Sequence, residues 1–222
     1  MDTIWYAQLG WVVAAGLLGF ALSMIFAGLL HLPRKLYLIP YIGISGLFIY
    51  AYFRWSGISI SELIQHNLVW GLVGAIALAL FTIRNIMSQP ASPRAKGLPL
   101  VFDLLWSGVA YGLTDSLLLS VLPVLATWLA FTQLNWTAGL PGRILVGAIA
   151  LLASMLVTAA YHLGYPEYRK EGIKGPLIGN TAMTLGYLLT GNPLAAILSH
   201  IAMHVAAVLH GPDSVMQLPP HY

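Results

Sequence analysis

The chain has 222 residues, of which 59% are hydrophobic and 8% charged, with a formal net charge of +3 and no cysteine. Soluble globular domains carry about 25% charged residues, so the composition reads as an integral membrane protein, an all-α polytopic transmembrane helix bundle in contact with the lipid bilayer. The basic residues form no clustered face, which excludes a nucleic-acid partner, and without cysteine there are no disulfides, thiolate chemistry, Cys-ligated zinc or iron–sulfur clusters.

About 20 apolar residues cross a bilayer core. On that length the sequence predicts spans at Ile4–Leu30, Leu36–Phe53, Leu68–Ile86, Ile144–Leu163, Pro176–Leu189 and Leu194–Leu209, with a longer apolar stretch at Leu98–Leu134. The first has no basic n-region and outruns a signal-peptide core, so it reads as a retained span. The long stretch divides in two. Leu98–Leu113, interrupted by Pro99, Asp103, Gly108 and Gly112, reads as an interfacial or partly inserted helix. Thr114–Gln133 is then the span, with Thr114 and Asp115 as helix-start residues and a kink at Pro123. The expectation is about seven spans plus one interfacial helix.

Charge placement orients the spans. With the N-terminus outside and the C-terminus cytoplasmic, the inner loops hold Arg34, Lys35, Arg84, Arg94, Lys96, Arg169, Lys170 and Lys174, and only Arg54 and Arg143 lie outside. That asymmetry is what the positive-inside rule expects. The Pro/Ser/basic linker Ser88–Lys96 divides residues 1–97, a three-span unit, from residues 98–211, a four-span unit, and residues 212–222 form a polar tail. Most Trp and Tyr, among them Trp5, Tyr6, Tyr37, Tyr41, Trp136 and Tyr165, fall near span ends and read as an interfacial aromatic belt. Gly71, Gly74 and Ala75 suit close helix packing, and Asn192-Pro193 reads as the start signal of the last span.

Ionisable groups inside spans are expensive and mark functional sites by default. His200 and His204 are one turn apart on the last span, and an i,i+4 pair shares one helix face. The topology places Asp115 and His162 at a similar depth, in the cytoplasmic half. Three imidazoles and a carboxylate can hold zinc or another divalent metal, with a bound water made acidic for hydrolysis. Equally, a carboxylate can orient an imidazole that activates water directly. A lone buried histidine is also a common packing residue, and Asp115 could cap its own helix.

The region from Leu98 to Gly211 resembles the CAAX-processing and bacteriocin-processing (CPBP) family of intramembrane proteases, also called Abi. Its members carry Glu-Glu-x-x-x-Arg at the start of one span, Phe-x-x-x-His on a later one and His-x-x-x-Asn or Asp on the last. Here Asp115-Ser116-x-x-x-Ser120, Thr158-x-x-x-His162 and His200-x-x-x-His204 stand in that order. The resemblance implies a hydrolase acting on a membrane-embedded or membrane-proximal peptide. In it Asp115 would be a shortened carboxylate, His162 and His200 the retained imidazoles, and His204 a changed oxyanion group. The missing second Glu and Arg leave a second reading open. It is a catalytically degenerate relative that serves as a scaffold or subunit of a larger membrane complex, or binds a metal or pigment through its histidines.

Overall fold

In a medium without water every backbone polar group must bond within the chain, and a helix achieves this locally. The computed structural model describes residues 4–169, 172–211, 213 and 217–220, and every extended regular element among them is helical. In chain order these are α1 (Trp5–Leu29), α2 (Arg34–Ser56), the short α3 (Ile60–Gln65), α4 (Leu68–Met87), α5 (Leu98–Gln133), α6 (Leu140–Gly164), α7 (Lys174–Thr190) and α8 (Leu194–His210). Five of them, α1, α2, α4, α5 and α6, are long and apolar enough to cross a membrane. At 17 residues, α7 and α8 are each about 25 Å long, shorter than a hydrocarbon core of about 30 Å. The outward faces carry bare aliphatic side chains such as Val13, Leu47, Leu80, Leu156 and Leu189, an apolar exterior that suits lipid and not water.

The expected division of the long apolar stretch does not occur. Leu98–Gln133 is one helical run of 36 residues. Two π-helical stretches, Leu104–Ala110 and Leu117–Val121, take up the irregularity while the backbone stays right-handed from one to the next. Asp115 is therefore a buried mid-helix residue and not the start of a span capping its own amides. Gly108 and Gly112 break nothing either, because they let α8 approach. A Cβ on Gly112 would lie 2.9 Å from Ile201 Cα and 3.1 Å from the His200 carbonyl, and one on Gly108 would lie 2.9 Å from Val205 Cγ2. This is a GxxxG-type contact, and it sets α5 directly against the helix that carries both histidines.

The expected disturbance at Pro123 takes a specific form. Proline has no N–H to give the Leu119 carbonyl one turn back, and the π stretch ends at Val121, two residues before it. Ser154 Oγ on α6 donates to that carbonyl at 2.6 Å. Ser154 also meets Asn180 Nδ2 at 2.8 Å and Thr184 Oγ1 at 2.9 Å, and Ser120 Oγ donates to Asn180 Oδ1 at 2.7 Å. A hydroxyl–amide knot thus joins α5, α6 and α7 in the interior.

The two ends of the bundle are tied separately. At one end Arg94 Nη1 donates to the Leu209 carbonyl at 3.0 Å, His210 Nε2 meets the Gln89 carbonyl at 2.8 Å, and Arg169 binds the Leu163 and Gly164 carbonyls. Lys170, counted among the basic loop residues, lies outside the described residues. At the opposite end Asn192 Nδ2 donates to the carbonyls of Ile64 at 2.7 Å and His66 at 2.5 Å, and its Oδ1 accepts from the Leu194 amide at 2.9 Å. Gly71 explains how α4 comes close enough for this, since a Cβ there would meet Asn192 at 2.6 Å. Helices from both sides of the Ser88–Lys96 linker contribute to one core, in which Tyr37, Tyr41, Ile86, Tyr111, Tyr161 and Val208 are all buried.

Candidate functional site

α4, α5, α6, α7 and α8 enclose a cavity of about 320 Å³. Asp115 from α5, His162 from α6, and His200 and His204 from α8 all line it. Each is buried, His204 almost completely so. Apolar residues such as Phe81, Ile86, Leu119 and Met183 make up much of the remaining wall, with Asn85 and Asn180 among its polar members.

The four ionisable residues are not equivalent. Asp115 and His204 are a close pair, with Oδ2 3.4 Å from Nε2. This contact is not a hydrogen bond, and neither ring nitrogen of His204 has a hydrogen-bond partner among the described residues. The ring is held by contact instead, 4.5 Å from the Tyr111 ring and stacked on His200 at 6.1 Å. His162 Nδ1 donates to the Thr158 carbonyl at 2.9 Å, which fixes the tautomer and leaves Nε2 as a lone-pair nitrogen. His200 Nδ1 is buried without a hydrogen-bond partner among the described residues. The four residues share a cavity without sharing a point. Among the described residues no three His, Cys, Asp or Glu side chains are grouped so as to hold a metal ion. The chain's residues therefore do not fit the expected divalent-metal set of His162, His200, His204 and Asp115.

What holds the carboxylate is a tyrosine. Tyr41 OH on α2 donates a short hydrogen bond to Asp115 Oδ1, and its ring stacks between Tyr37 at 5.6 Å and Tyr161 at 5.2 Å. Around it Tyr37, Tyr161 and Tyr165 close a ring of hydroxyls. Tyr165 OH lies 2.8 Å from Tyr37 OH and 2.6 Å from Tyr161 OH, and Tyr37 OH lies 3.3 Å from Tyr161 OH. Tyr111 OH joins at 2.8 Å from Tyr161 OH. These five tyrosines have no solvent exposure. Next to them Tyr168, outside the spans, has its phenol pushed well above the usual range by burial, and its ring meets His162 at 5.1 Å.

The tyrosines correct the aromatic-belt expectation for Tyr37, Tyr41 and Tyr165. Trp5, Tyr6 and Trp136 do face outward, but the other three turn inward to the site. Nearness to a span end fixes depth and not direction. The i,i+4 spacing of Tyr37 with Tyr41 and of Tyr161 with Tyr165 is the sequence signal for direction, since such pairs stack on one helix face. Asn180 also escaped notice, although an amide inside an apolar span marks a polar interior. Ser116 Oγ is buried without a hydrogen-bond partner among the described residues, and Ser120 is taken by Asn180.

Compared with known proteins, the chain matches no protein-family model, no curated protein and no solved structure.

Proposed function

We propose that this protein is a CPBP-like intramembrane hydrolase with seven spans, its basic end cytoplasmic, acting on a peptide within or beside the bilayer. One observation supports this above the rest: the three motif positions, on three different helices, line the same buried cavity. Water entering that cavity meets His162, whose Nδ1 is bound to the Thr158 carbonyl and whose Nε2 is left to accept a proton, and His200 beside it in the same lining. The hydroxide so formed adds to the scissile carbonyl carbon. The proton then passes from the imidazolium to the amide nitrogen as the C–N bond breaks, giving a carboxylic acid and an amine. Asp115, held by Tyr41, supplies the fixed negative charge that stabilises the transient imidazolium, in a low-dielectric surrounding where such a charge acts strongly. No metal enters this scheme.

The test is hydrolysis of a quenched membrane-peptide library by the purified protein in vesicles. Asp115→Ala and His200→Ala should each lower turnover at least a hundredfold, and undiminished turnover by both would remove the proposal. A non-enzymatic reading draws on a different observation, that Ser120 is tied into the hydroxyl–amide knot and presents no cation to a reacting group. In that case the cavity holds a small lipid-like ligand or pigment, or the protein is a subunit of a membrane complex. Mass spectrometry would then find a stoichiometric small molecule, or a constant partner subunit, with the chain and no cleavage.

A further inference from the structure

Residues 217–220 are gripped from two sides. Arg34 Nε donates to the Leu218 carbonyl at 2.5 Å and Nη2 to the Pro220 carbonyl at 3.4 Å. The Leu218 side chain is fully buried in the apolar cluster that contains Tyr37, Tyr161 and Tyr165. Gln217 and Pro219 line the cavity of Asp115 and the histidines. Pro220 lines a second hollow of about 520 Å³, with Arg34, Lys35 and Asp103, at the basic end. Residues of one short segment thus face different surroundings. The segment forms a partition between the cavity and the hollow.

Its hold is of a kind that another peptide could share. A guanidinium offers N–H groups in a rigid fork and accepts nothing, so Arg34 reads main-chain carbonyls, which every peptide carries. Side-chain preference resides in the pocket that takes Leu218. The present occupant does not satisfy all of its surroundings, because Gln217 Oε1 is buried with no hydrogen-bond partner among the described residues. Fixing four residues of backbone costs entropy comparable with what one buried leucine and two such bonds return, and that balance permits exchange.

We propose that Arg34 and the Leu218 pocket form a peptide-binding site, filled in cis by residues 217–220, whose exchange partner is a peptide with an aliphatic residue at the Leu218 position. This rests on reading the adjoining cavity as a place where peptides are processed: displacing the segment joins that cavity to the basic-end hollow and leads the incoming peptide to it.

Binding is measured by fluorescence anisotropy with a labelled synthetic peptide having the sequence of residues 212–222. A chain lacking residues 212–222 should bind it saturably. The full chain, with its site filled, should bind at least tenfold more weakly, and so should the shortened chain carrying Arg34→Gln. Because the protein has no cysteine, the full chain with Thr82→Cys in the cavity wall gives a second measurement. Adding Leu218→Asp should speed labelling of that thiol by a water-soluble maleimide at least tenfold, with a Ser61→Cys control at the other end unchanged. A shortened chain that elutes as a single species and does not bind the peptide overturns the proposal, as does binding indifferent to Arg34→Gln or labelling indifferent to Leu218→Asp. Neither readout needs turnover, so a chain that binds the peptide and never cleaves one would remove the hydrolase reading and leave the site standing.

Discussion

Tyr41→Phe isolates a single hydrogen bond. The ring stays, and with it the stacking on Tyr37 and Tyr161, while Asp115 Oδ1 loses its tyrosine donor. Asp115 is buried, so water does not readily replace that donor, and a hydrogen bond to a charged group contributes about 1.5–3 kcal/mol. In a chain of this size 1 kcal/mol moves the midpoint by about 2–4 °C. Thermal unfolding in detergent, followed by tryptophan fluorescence, should therefore fall by about 3–12 °C. Double-mutant analysis makes the test specific to the bond: with Asp115→Asn as the second substitution, the pair should show a coupling of about 1–3 kcal/mol. Additivity to within about 0.5 kcal/mol would mean that the two residues act independently, and the account of Tyr41 as the group that holds Asp115 would fall. Turnover adds a second readout, since the same substitution should lower it while leaving the cavity's apolar walls intact.

Gly112→Ala places a methyl 2.9 Å from the Ile201 backbone, and overpacking of this kind costs about 1–3 kcal/mol. Gly43→Ala, with nothing within 4 Å of its Cβ, should melt with the parent; equal midpoints for both variants would refute the close α5–α8 contact. Asn192→Ala removes the side chain that ties the α3–α4 connection to the start of α8. At about 0.5–1.5 kcal/mol for each of its bonds it should lower the midpoint clearly, and an unchanged melt would show that the α3–α4 connection is held by other contacts. Chelation should leave turnover unchanged, because the carboxylate and imidazoles are not grouped around one point; a stoichiometric zinc that disappears with His204→Ala would contradict this.

The parts of this fold that could be read from the sequence are those fixed by one-dimensional chemistry. Apolar run length gives helices, because a single segment of about 20 apolar residues can satisfy its own backbone in lipid only as a helix. The depth of His162, His200 and His204 follows from counting residues along their helices, and all three do line one cavity with Asp115. What escaped depends on direction around a helix axis and on tolerance to irregular winding. Gly108, Gly112 and the Thr114-Asp115 pair look like breaks in a list of residues. In place they are a packing seam and a buried carboxylate, because π turns absorb the misfit without leaving the helical region.

The same distinction explains why Asp115 is tolerable where it is. An unpaired carboxylate in such an interior would be driven neutral or out of it. Among the described residues no lysine or arginine pairs with Asp115, and His204 Nε2 lies 3.4 Å from it. The chain offers a phenol from α2, held in line by stacked rings. A hydroxyl donor supports a carboxylate without locking it into a full ion pair, and in the proposed reaction this would keep the charge available to an imidazolium formed nearby. A motif defined within residues 98–211 cannot contain that donor, because it comes from residue 41, on the far side of the Ser88–Lys96 linker. Asp115 thus takes its donor from the first half of the chain, and Tyr41→Phe is the substitution that shows what that donor contributes.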